Sequence, residues 1–550
     1  MSYVFGIDLG TTYSCISYID EYGKATVLKN SDGDLTTPSV VMVESESNIV
    51  VGMEAKRSLE VEPDKTVQFI KRKMGKEKDT VVLNGTTYHA PEISSMILKK
   101  LVKDANDELK QVGVIKDGEE IKDVVITCPA YFGVNERHAT KTAGELAGLN
   151  VLNIINEPTA AAISYGVSGG DKKETVLVYD LGGGTFDITV MDINKGNISV
   201  VCTGGDDQLG GKDWDECLMD YVCERYEAEY GEDLTEDPET ISALYVDVET
   251  WKKALTAREK VNISVNGPAG RLREELTREK YDELTEGLLN RTKNLLDSSL
   301  IAAKEKGCLL SNIDKFLLVG GSSKMPQVAN MIQRDYGITA VLSDPDEAVA
   351  KGAAIYASNE KAFNDFVEQE AAKVGKTAEE LKEENIGNKV LEQKYLMSGN
   401  SGSRDVMINI TNVLSRTYGI AVLHGNELVI ENMLMINDKL PASKFDTYGT
   451  SVDNQDGLSL KLFESRSTER VMKIEDRKPI TDFKMSFTRA VPKGTAVNVT
   501  LSLDNSGTIH VVAEEMLYHS KLDTTFKLSN QMSDTELSEA VQRMSTANIE

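Results

Sequence analysis

An apolar run of the kind found in strands, residues 176–179 (VLVY), ends directly on an acid, Asp180. Three consecutive glycines and Thr185 follow, and a second run with alternating apolar positions starts at Phe186. Two strand-like runs separated by a short glycine-containing segment are typical of a β-hairpin. The pattern therefore predicts a hairpin over residues 176–193, with Asp180 beside its turn.

The chemistry of this turn favours an anionic ligand. Glycines allow a left-handed backbone, and they let bare N–H groups approach a bound group closely. A phosphate there would repel the carboxylate of Asp180 unless a cation lay between them. The turn thus favours a nucleotide phosphate together with a divalent metal, although an ordinary tight hairpin with a solvent-facing Asp180 fits the same residues.

The same pattern occurs at the start of the chain. An apolar run at residues 3–7 leads to Asp8, and Gly10, Thr11 and Thr12 precede a second strand-like run. Asp8 and Asp180 are too far apart for short tandem repeats, so we interpret the two copies as halves of a duplicated molecule. Two lobes of this kind would clamp one polyphosphate from both sides. A third glycine turn, at residues 320–321, leads into a helix, whose N-terminus favours anions.

The remaining patterning divides the C-terminal part of the chain. Residues 358–404 carry apolar positions at helical spacing, including Phe363, Phe366 and Val367, and residues 377–380 (TAEE) form a capping-box sequence. They predict a helical insertion, and a lengthened connector is an equally good interpretation. Short alternating runs separated by turn residues then predict a β-sandwich up to about residue 530. Near the end, a capping box of Ser533 and Glu536 predicts a further helix with Leu537, Val541 and Met544 on one face.

Length, composition and charge limit the classes of function. A chain of 550 residues is too long for one core, and its 40% hydrophobic and 27% charged residues are ordinary for soluble globular domains. The formal charge of −27 argues against nucleic acid and against an anionic membrane as partners, because both need a cationic face. No apolar run is long enough to span a membrane.

The termini and the cysteines bear on location. The N-terminus enters a strand without a basic region or cleavage site, which is unlike a signal peptide. Six scattered cysteines without a CxxC pair are typical of small core residues in a reducing compartment. We therefore expect a cytoplasmic protein.

The amino-acid sequences around the three glycine turns resemble the motifs of one protein family. The segments FGIDLGTTYS (residues 5–14), VYDLGGGTFDIT (178–189) and LLVGGSSKMPQV (317–328) resemble the signatures of the heat-shock protein 70, or DnaK-like, chaperones. The resemblance is dense over residues 3–357 and weaker from about residue 406. It implies an α/β actin-like two-lobed ATPase domain, then an all-β peptide-binding sandwich and a short C-terminal helix. The domains expected are residues 1–357 (nucleotide binding), 358–404 (helical insertion or connector), 405–414 (interdomain linker), 415–530 (sandwich) and 531–550 (truncated lid helix).

The resemblance also implies ligands and site residues. It implies ATP or ADP with Mg²⁺, and K⁺ as an optional further cation. The metal would be held by Asp8 and Asp180, and catalysis would fall to Lys71, Glu157, Asp180 and Thr185. Without the resemblance, Lys71 would be one of three consecutive basic residues on a solvated face. The nucleotide-binding residues would be Gly10, Thr11, Thr12, Tyr13, Gly182, Gly183, Gly184, Asp187, Glu249, Lys252, Thr256, Gly320, Gly321, Ser322, Lys324 and Asp346.

The sequence departs from the family pattern in several places. Lys253 and Lys324 stand where family members often carry arginines, so stacking against the base is weaker. The expected run of leucines in the linker is replaced by residues that include Asn409 and Thr411, and Asn153 stands where a basic residue often couples the linker to a J-domain co-chaperone. We therefore expect weaker coupling to J-domain proteins. From the resemblance we expect residues 531–550 to form the first helix of the family's helical lid, as a truncated lid helix.

The peptide-binding residues expected from the resemblance are Leu458 and, more weakly, Leu423, and each would equally suit an ordinary core position. The function implied is an ATP-dependent chaperone that binds unfolded polypeptides, with a J-domain co-chaperone and a nucleotide exchange factor as partners. The altered linker, the insertion and the short lid favour a second hypothesis, a partner-binding or regulatory ATPase without an allosteric peptide cycle. A sugar kinase or an actin relative is a third, but neither class accounts for residues 406–528.

Overall fold

The structure is a computed structural model that describes residues 3–45, 47–76, 78–166, 173–194, 196–384, 389–397, 407–475, 477–505, 507–526 and 532–550. Among these residues, no helix combines the length and the apolar character that crossing a membrane requires.

The first lobe, lobe I, occupies the described residues up to 166. Its strands are β1 Phe5–Asp8, β2 Tyr13–Ile19, β3 Ala25–Val27, β4 Thr37–Pro38, β5 Val41–Ser45, β6 Asn48–Val51, β7 Thr66–Val67, β8 Val81–Leu83, β9 Thr86–Tyr88, β10 Asp123–Cys128 and β11 Asn150–Asn156. Its helices are α1 Met53–Ser58, α2 Ala90–Gln111, α3 Val134–Leu146 and α4 Glu157–Gly166.

The second lobe, lobe II, follows. Its strands are β12 Glu174–Leu181, β13 Phe186–Asn194, β14 Asn197–Asp206, β15 Lys260–Gly267, β16 Gly270–Thr277, β17 Lys315–Val319 and β18 Val341–Leu342. Its helices are α5 Gly211–Tyr230, α6 Pro238–Ala257, α7 Arg278–Leu284, α8 Glu286–Glu305 and α9 Pro326–Tyr336.

The central sheets of the two lobes have matching topology. The order is β11-β10-β1-β2-β3 in lobe I and β18-β17-β12-β13-β14 in lobe II. In each, the strand that ends in the key aspartate is antiparallel to the strand after it and parallel to a strand from later in the chain. This equivalence is the actin-like duplication that the repeated pattern predicts, and the two-lobed α/β fold class is confirmed.

Three helices lead from lobe II toward the linker: α10 Ala348–Val374, α11 Ala378–Glu384 and α12 Lys389–Met397. The predicted boundary at residue 357 falls inside α10, which continues without a break. The predicted capping box at Thr377 is present, because its hydroxyl accepts the Glu380 amide and the Glu380 carboxylate accepts the Thr377 amide.

The linker region contains a strand that belongs to lobe II. This strand, β19 Asn409–Thr411, pairs in parallel with β14 and becomes the edge of the lobe II sheet. Residues 405–406 and the serine–glycine segment 398–403 lie outside the described residues.

The C-terminal part is the predicted β-sandwich. Its strands are β20 Thr417–His424, β21 Glu427–Leu434, β22 Ala442–Gly449, β23 Gln455–Ser465, β24 Val471–Lys473, β25 Thr481–Val491, β26 Ala496–Leu503, β27 Ile509–Glu515 and β28 Lys521–Phe526. The five-stranded sheet β24-β21-β20-β23-β25 faces the four-stranded sheet β22-β26-β27-β28 across one apolar core. Helix α13 Asp534–Thr546 and strand β29 Asn548–Ile549 then return to lobe I, where β29 pairs with β6.

Candidate functional site

The two predicted hairpins meet where the central sheets of the two lobes face each other. Asp8 is the last residue of β1, and Asp180 lies near the end of β12, opposite Asp187 of β13. Each of these strands ends beside a parallel neighbour, so both carboxylates lie at carboxyl ends of parallel strands. In α/β sheets this edge is where ligands bind.

The glycines of the second hairpin are required by close packing between the lobes. A Cβ on Gly183 would lie 2.0 Å from the Thr12 hydroxyl oxygen, and a Cβ on Gly184 would lie 2.3 Å from the Thr11 methyl carbon. None of the three glycines has a left-handed backbone, contrary to the sequence-based expectation. The third turn does need one, because Gly320 has φ +81° and packs against the Asp180 carboxylate.

A buried ion pair lies beside the two hairpins. The Lys71 ammonium is 2.5 Å from the Glu157 carboxylate, and both side chains are almost fully enclosed. Lys71 sits in a 3₁₀ turn, residues 70–73, after Phe69, whose backbone is left-handed. Burial alone would favour a neutral amine, but the carboxylates of Glu157 and Asp8 outweigh it and raise the pKa of Lys71. The charged ammonium is therefore the stable form.

The acidic side chains around the two hairpins outnumber the Lys71 ammonium that lies among them. Burial and the Glu157 carboxylate raise the pKa of Asp8 to about 7 and that of Asp180 well above its ordinary value. The pKa of Asp187 is also raised by burial, although its carboxylate accepts the Ala130 amide at 3.1 Å. Buried carboxylates that repel one another favour either protonation or a bound cation.

These residues fit a hydrated magnesium ion. Among the described residues, no three acidic, histidine or cysteine side chains are close enough to enclose a metal directly. Mg²⁺ keeps several of its waters and is usually held by one or two carboxylates plus substrate phosphates. Asp8 and Asp180, at the edge of an open cavity, suit that mode of binding.

The cavity between the lobes has a volume of about 450 Å³, within the range of small-molecule sites. It gathers most of the predicted residues. The predicted residues that line it are Asp8, Gly10, Thr11, Thr12, Tyr13, Lys71, Glu157, Asp180, Gly182, Gly183, Thr185, Glu249, Lys252, Thr256, Gly320, Gly321, Ser322, Lys324 and Asp346. Gly184 and Asp187 lie behind this lining. The roles assigned to these residues stay predictions.

One side of the cavity mouth is closed by an ion-pair cluster that joins the lobes. Glu249 of α6 pairs with Lys253 at 2.7 Å and with Lys56 of α1. Both ammonium groups also lie over the Tyr13 ring, at 4.6 and 4.9 Å from its centre. Despite burial, the two lysines lower the pKa of Glu249 to about 2. The cluster bridges lobe I and lobe II across the mouth.

Two predicted base-binding lysines are engaged by acids. The Lys252 ammonium donates to Asp215 at 2.7 Å and to the Gly211 carbonyl at 2.9 Å. Burial raises the pKa of Asp215 to about 6, and Lys252 opposes that rise. Lys324 pairs with Asp346 at the opposite wall.

Three residues of the site have no signal in the sequence pattern. Lys56, Asp215 and Arg72 became visible only in the structure. The Arg72 guanidinium donates to the Gly184 carbonyl at 2.9 Å and to both carboxylate oxygens of Asp213, at 3.2 and 2.6 Å. The contacts of Arg72, and that of Lys56 with Glu249, join partners that are more than a hundred residues apart, so no local pattern could reveal them.

The structure does not bring the two predicted peptide-binding leucines together. Ile420 of β20 pairs with Leu462 of β23, and both are buried in the sandwich core. Side chains alternate along a strand, so Leu458 shares the core face, whereas Leu423 lies on the outer face. Leu458 is half-buried against the core, and Leu423 is 52% exposed near the β20–β21 turn. The two leucines therefore lie on opposite faces of the sheet, and their peptide-binding role stays a prediction.

The known proteins that are similar to this chain all indicate one family. The family model described as "Hsp70 protein" matches residues 4–368 and 382–550. A chaperone protein DnaK from Thermosipho melanesiensis is 35% identical over 523 residues, which are 94% of this chain and 78% of that protein. The chaperone protein DnaK of Thermotoga maritima has the same identity and coverage. That of Thermosipho africanus is 33% identical over 549 residues, 98% of this chain and 82% of its own.

Proposed function

The chain belongs to the Hsp70 family, and we propose that it hydrolyses ATP with Mg²⁺ and binds extended segments of polypeptide as a molecular chaperone. Hsp70 and DnaK proteins are ATPases, so the class of enzyme follows from the family. The observation that carries the proposal is the convergence of Asp8, Asp180 and the Lys71–Glu157 pair on one cavity.

The proposed hydrolysis needs little covalent chemistry from the protein. Phosphoryl transfer is accelerated mainly by positioning and by electrostatic stabilisation. The Lys71 ammonium would orient the attacking water and offset charge on the γ-phosphate, and Glu157 would hold that ammonium in place. Thr185 and the N–H groups of residues 182–183 would donate to the phosphates. When bound, Mg²⁺ would neutralise phosphate charge, held through its waters by Asp8 and Asp180, and K⁺ stays an optional second cation.

Single-turnover hydrolysis of ATP tests this site. We expect the Lys71→Met variant to hydrolyse ATP at least about a hundredfold more slowly, because a buried charge near the transferred phosphoryl group is lost. The Lys73→Met variant, in the same 3₁₀ turn, is the matched control, since the Lys73 ammonium donates to the Thr80 carbonyl and Lys73 is not among the described residues that line the cavity. If Lys71→Met hydrolysed ATP at the wild-type rate in the presence of Mg²⁺, Lys71 would have no role in the mechanism.

The proposed peptide contact is the outer face of the five-stranded sheet. Leu423 and its cross-strand partner Leu428 are both about half exposed on that face. Ala421, Ile430 and Phe463 continue the same apolar face. Ile430 and Phe463 are buried together with Met472 of β24, so the exposed apolar contact proposed for an extended segment is the Leu423–Leu428 pair beside the β20–β21 turn. Leu458 then contributes to the core that supports this sheet.

A regulatory or partner-binding ATPase without an ATP-driven peptide cycle is the second candidate. The observation that favours it is the tight docking of the linker and the sandwich on the two lobes. Ser415 donates to the Phe132 carbonyl at 2.9 Å, and the Asn437 side chain accepts the Thr203 amide at 2.9 Å. The dissociation rate of a fluorescent peptide, measured with and without ATP, separates the candidates. Faster release with ATP favours the chaperone cycle, and an unchanged rate favours the second candidate.

Partners and location belong to the same proposal. Unfolded polypeptides are the proposed clients, with a J-domain co-chaperone and a nucleotide exchange factor as proposed regulators. The six cysteines are unpaired, in keeping with a reducing compartment, and we propose the cytoplasm.

A further inference from the structure

The helices between lobe II and the linker form a small apolar core of their own. Phe363 and Phe366 lie one turn apart on α10, beyond the part of that helix that packs on the lobes. Tyr395 of α12 meets both rings edge-on, with centre-to-centre distances of 5.7 and 5.3 Å. Leu391, one turn before Tyr395, is 4% exposed in the same cluster. The packing fixes α12 against α10.

Polar contacts around this core hold the helices in register. Glu370 of α10 pairs with Lys373 on its own helix and with Lys394 of α12. Lys382 of α11 donates to the Asn364 side chain at 2.8 Å. Each short helix is thus tied to α10 by apolar contacts and by at least one polar contact.

The first described residues of the linker region are inserted between this cluster and the lobes. Met407 is 8% exposed and belongs to the Phe363–Tyr395 cluster. Ile408 is 4% exposed and packs instead in the core shared by the two lobes. Its amide donates to the Asn359 side chain of α10 at 3.0 Å. The strand β19 begins at the next residue.

Strand β19 by itself is a weak attachment. It has three residues, its pairing with β14 is parallel, and it lies at the sheet edge. Short strands of this kind are marginal without packing from side chains. The burial of Met407 and Ile408 supplies that packing, and the packing around Met407 comes from α10 and α12.

We propose that α10, α11 and α12 form a clasp that grips Met407 and keeps β19 paired with β14 whether or not a nucleotide is bound. The clasp itself does not depend on ATP hydrolysis, and only its consequence for the peptide cycle rests on the proposed function. With the linker held, the sandwich stays docked on the lobes through the whole nucleotide cycle. The clasp thereby restricts movement of the sandwich relative to the lobes.

Amide hydrogen exchange of residues 408–411 in the full chain tests the clasp. In the wild type we expect similar protection in the nucleotide-free, ADP-bound and ATP-bound protein. Leu391→Ala or Tyr395→Ala should raise exchange at these amides at least about tenfold, because a cavity replaces the packing under Met407. Leu396→Ala is the matched control, since Leu396 lies on the same helix and is 44% exposed. It should leave exchange unchanged.

Two further measurements make the result decisive. Met407→Ala should release the same amides, while exchange in β12 and β13 stays at the wild-type level and shows that the lobes remain folded. Equal exchange in wild type and in Leu391→Ala would overturn the clasp, as would wild-type protection that appears only with ATP. The exchange measurement on the nucleotide-free protein does not require ATP hydrolysis. A chain that fails to hydrolyse ATP would therefore contradict the proposed function but not the clasp.

Discussion

Gly183 lies at a close contact between the two lobes. The Thr12 side chain occupies the space that a Cβ would need. Position 183 therefore requires a glycine because there is no space for a side chain. The sequence predicts a different reason, namely a left-handed backbone in a phosphate-binding turn.

We expect Gly183→Ala to weaken nucleotide binding at least about tenfold, because a Cβ at 2.0 Å from the Thr12 hydroxyl forces the hairpins apart. Isothermal titration with ADP and Mg²⁺ measures the change. Gly287→Ala, on α8, is the control, since nothing lies within 4 Å of its added Cβ. Helix propensity should make that variant slightly more stable, by about 0.5–1 kcal/mol. Unchanged ADP affinity in Gly183→Ala would contradict the close-packing argument.

Arg416 is a second residue whose role is set by the assembled structure. Its side chain is 8% exposed, donates to Glu464 at 3.0 Å and lies 3.5 Å from the Glu136 carboxylate of α3. Burial and the nearby Glu136 raise the pKa of Glu464, and Arg416 opposes that rise. The guanidinium thus neutralises two acids at the contact between lobe I and the sandwich.

Arg416→Ala should destabilise the docked sandwich by about 3–5 kcal/mol, because it leaves two enclosed carboxylates without a partner. Calorimetry should then show the sandwich unfolding separately from the lobes. Arg470→Ala, which removes an arginine that is 63% exposed and faces Glu431 and Asp446, should cost at most about 1 kcal/mol. A single unshifted transition in Arg416→Ala would exclude this role.

At the scale of elements, helix α13 and strand β29 behave as an extension of lobe I. The predicted capping box at Ser533 is present, and Leu537 and Met544 face inward as expected. The third predicted position, Val541, is 52% exposed, and Ala540 takes its place against the lobe. Small alanine permits the closer approach, so the apolar face is shifted by one residue.

Ile549→Asp should release the terminal segment from lobe I. Ile549 is 3% exposed in the lobe I core, and the Glu550 carbonyl accepts the Val51 amide at 2.9 Å. A buried aspartate without a partner is strongly unfavourable. We expect faster hydrogen exchange at residues 49–51 and at α13, with Val541→Asp unchanged as the control. Protection equal to wild type in Ile549→Asp would mean that β29 contributes nothing to docking.

At the scale of the whole molecule, a chain of polar contacts connects the linker region with the Lys71–Glu157 pair. Asn412, just after β19, accepts a long contact of 3.5 Å from Asn156, which directly precedes Glu157. Arg137 donates to the same Asn156 side chain and to the Phe132 carbonyl. Asn153, at the position where a basic residue is often found, donates instead to the Tyr356 hydroxyl at 2.9 Å. At position 153 the contact is thus made by a neutral amide, whereas Arg137 supplies the positive charge in this network.

We expect a typical J-domain protein to stimulate ATP hydrolysis by this chain less than it stimulates a DnaK relative with a basic residue at that position. The reason is that Asn153 carries no charge to couple the co-chaperone to the linker. Single-turnover hydrolysis with increasing J-domain protein measures the response, and the DnaK relative is the positive control. Stimulation of equal size in both proteins would refute the prediction.

The ATP-site part of the fold follows closely from the sequence, because its information is local. The hairpins at Asp8 and Asp180 are each encoded by consecutive residues, and the sandwich strands β23, β25, β26 and β27 by simple alternation. Strands β20, β21 and β22 are less regular in pattern. Leu423 and Leu458 show the limit of prediction from the sequence. They lie on opposite faces of the sheet, and which face each takes depends on a pairing register that neither strand encodes alone.

The sequence by itself determined the family and most residues that line the cavity, because the motif sequences are specific to the family. It also determined the two-lobed α/β fold, because short-range periodicity specifies hairpins and strands. Only the tertiary structure decided why Gly183 must be glycine, which residues bridge the lobes at Lys56 and Arg72, and how Arg416 and Met407 hold the sandwich and the linker. Those contacts join residues distant in the chain, and their strength comes from burial and charge neutralisation, which exist only after the chain has folded.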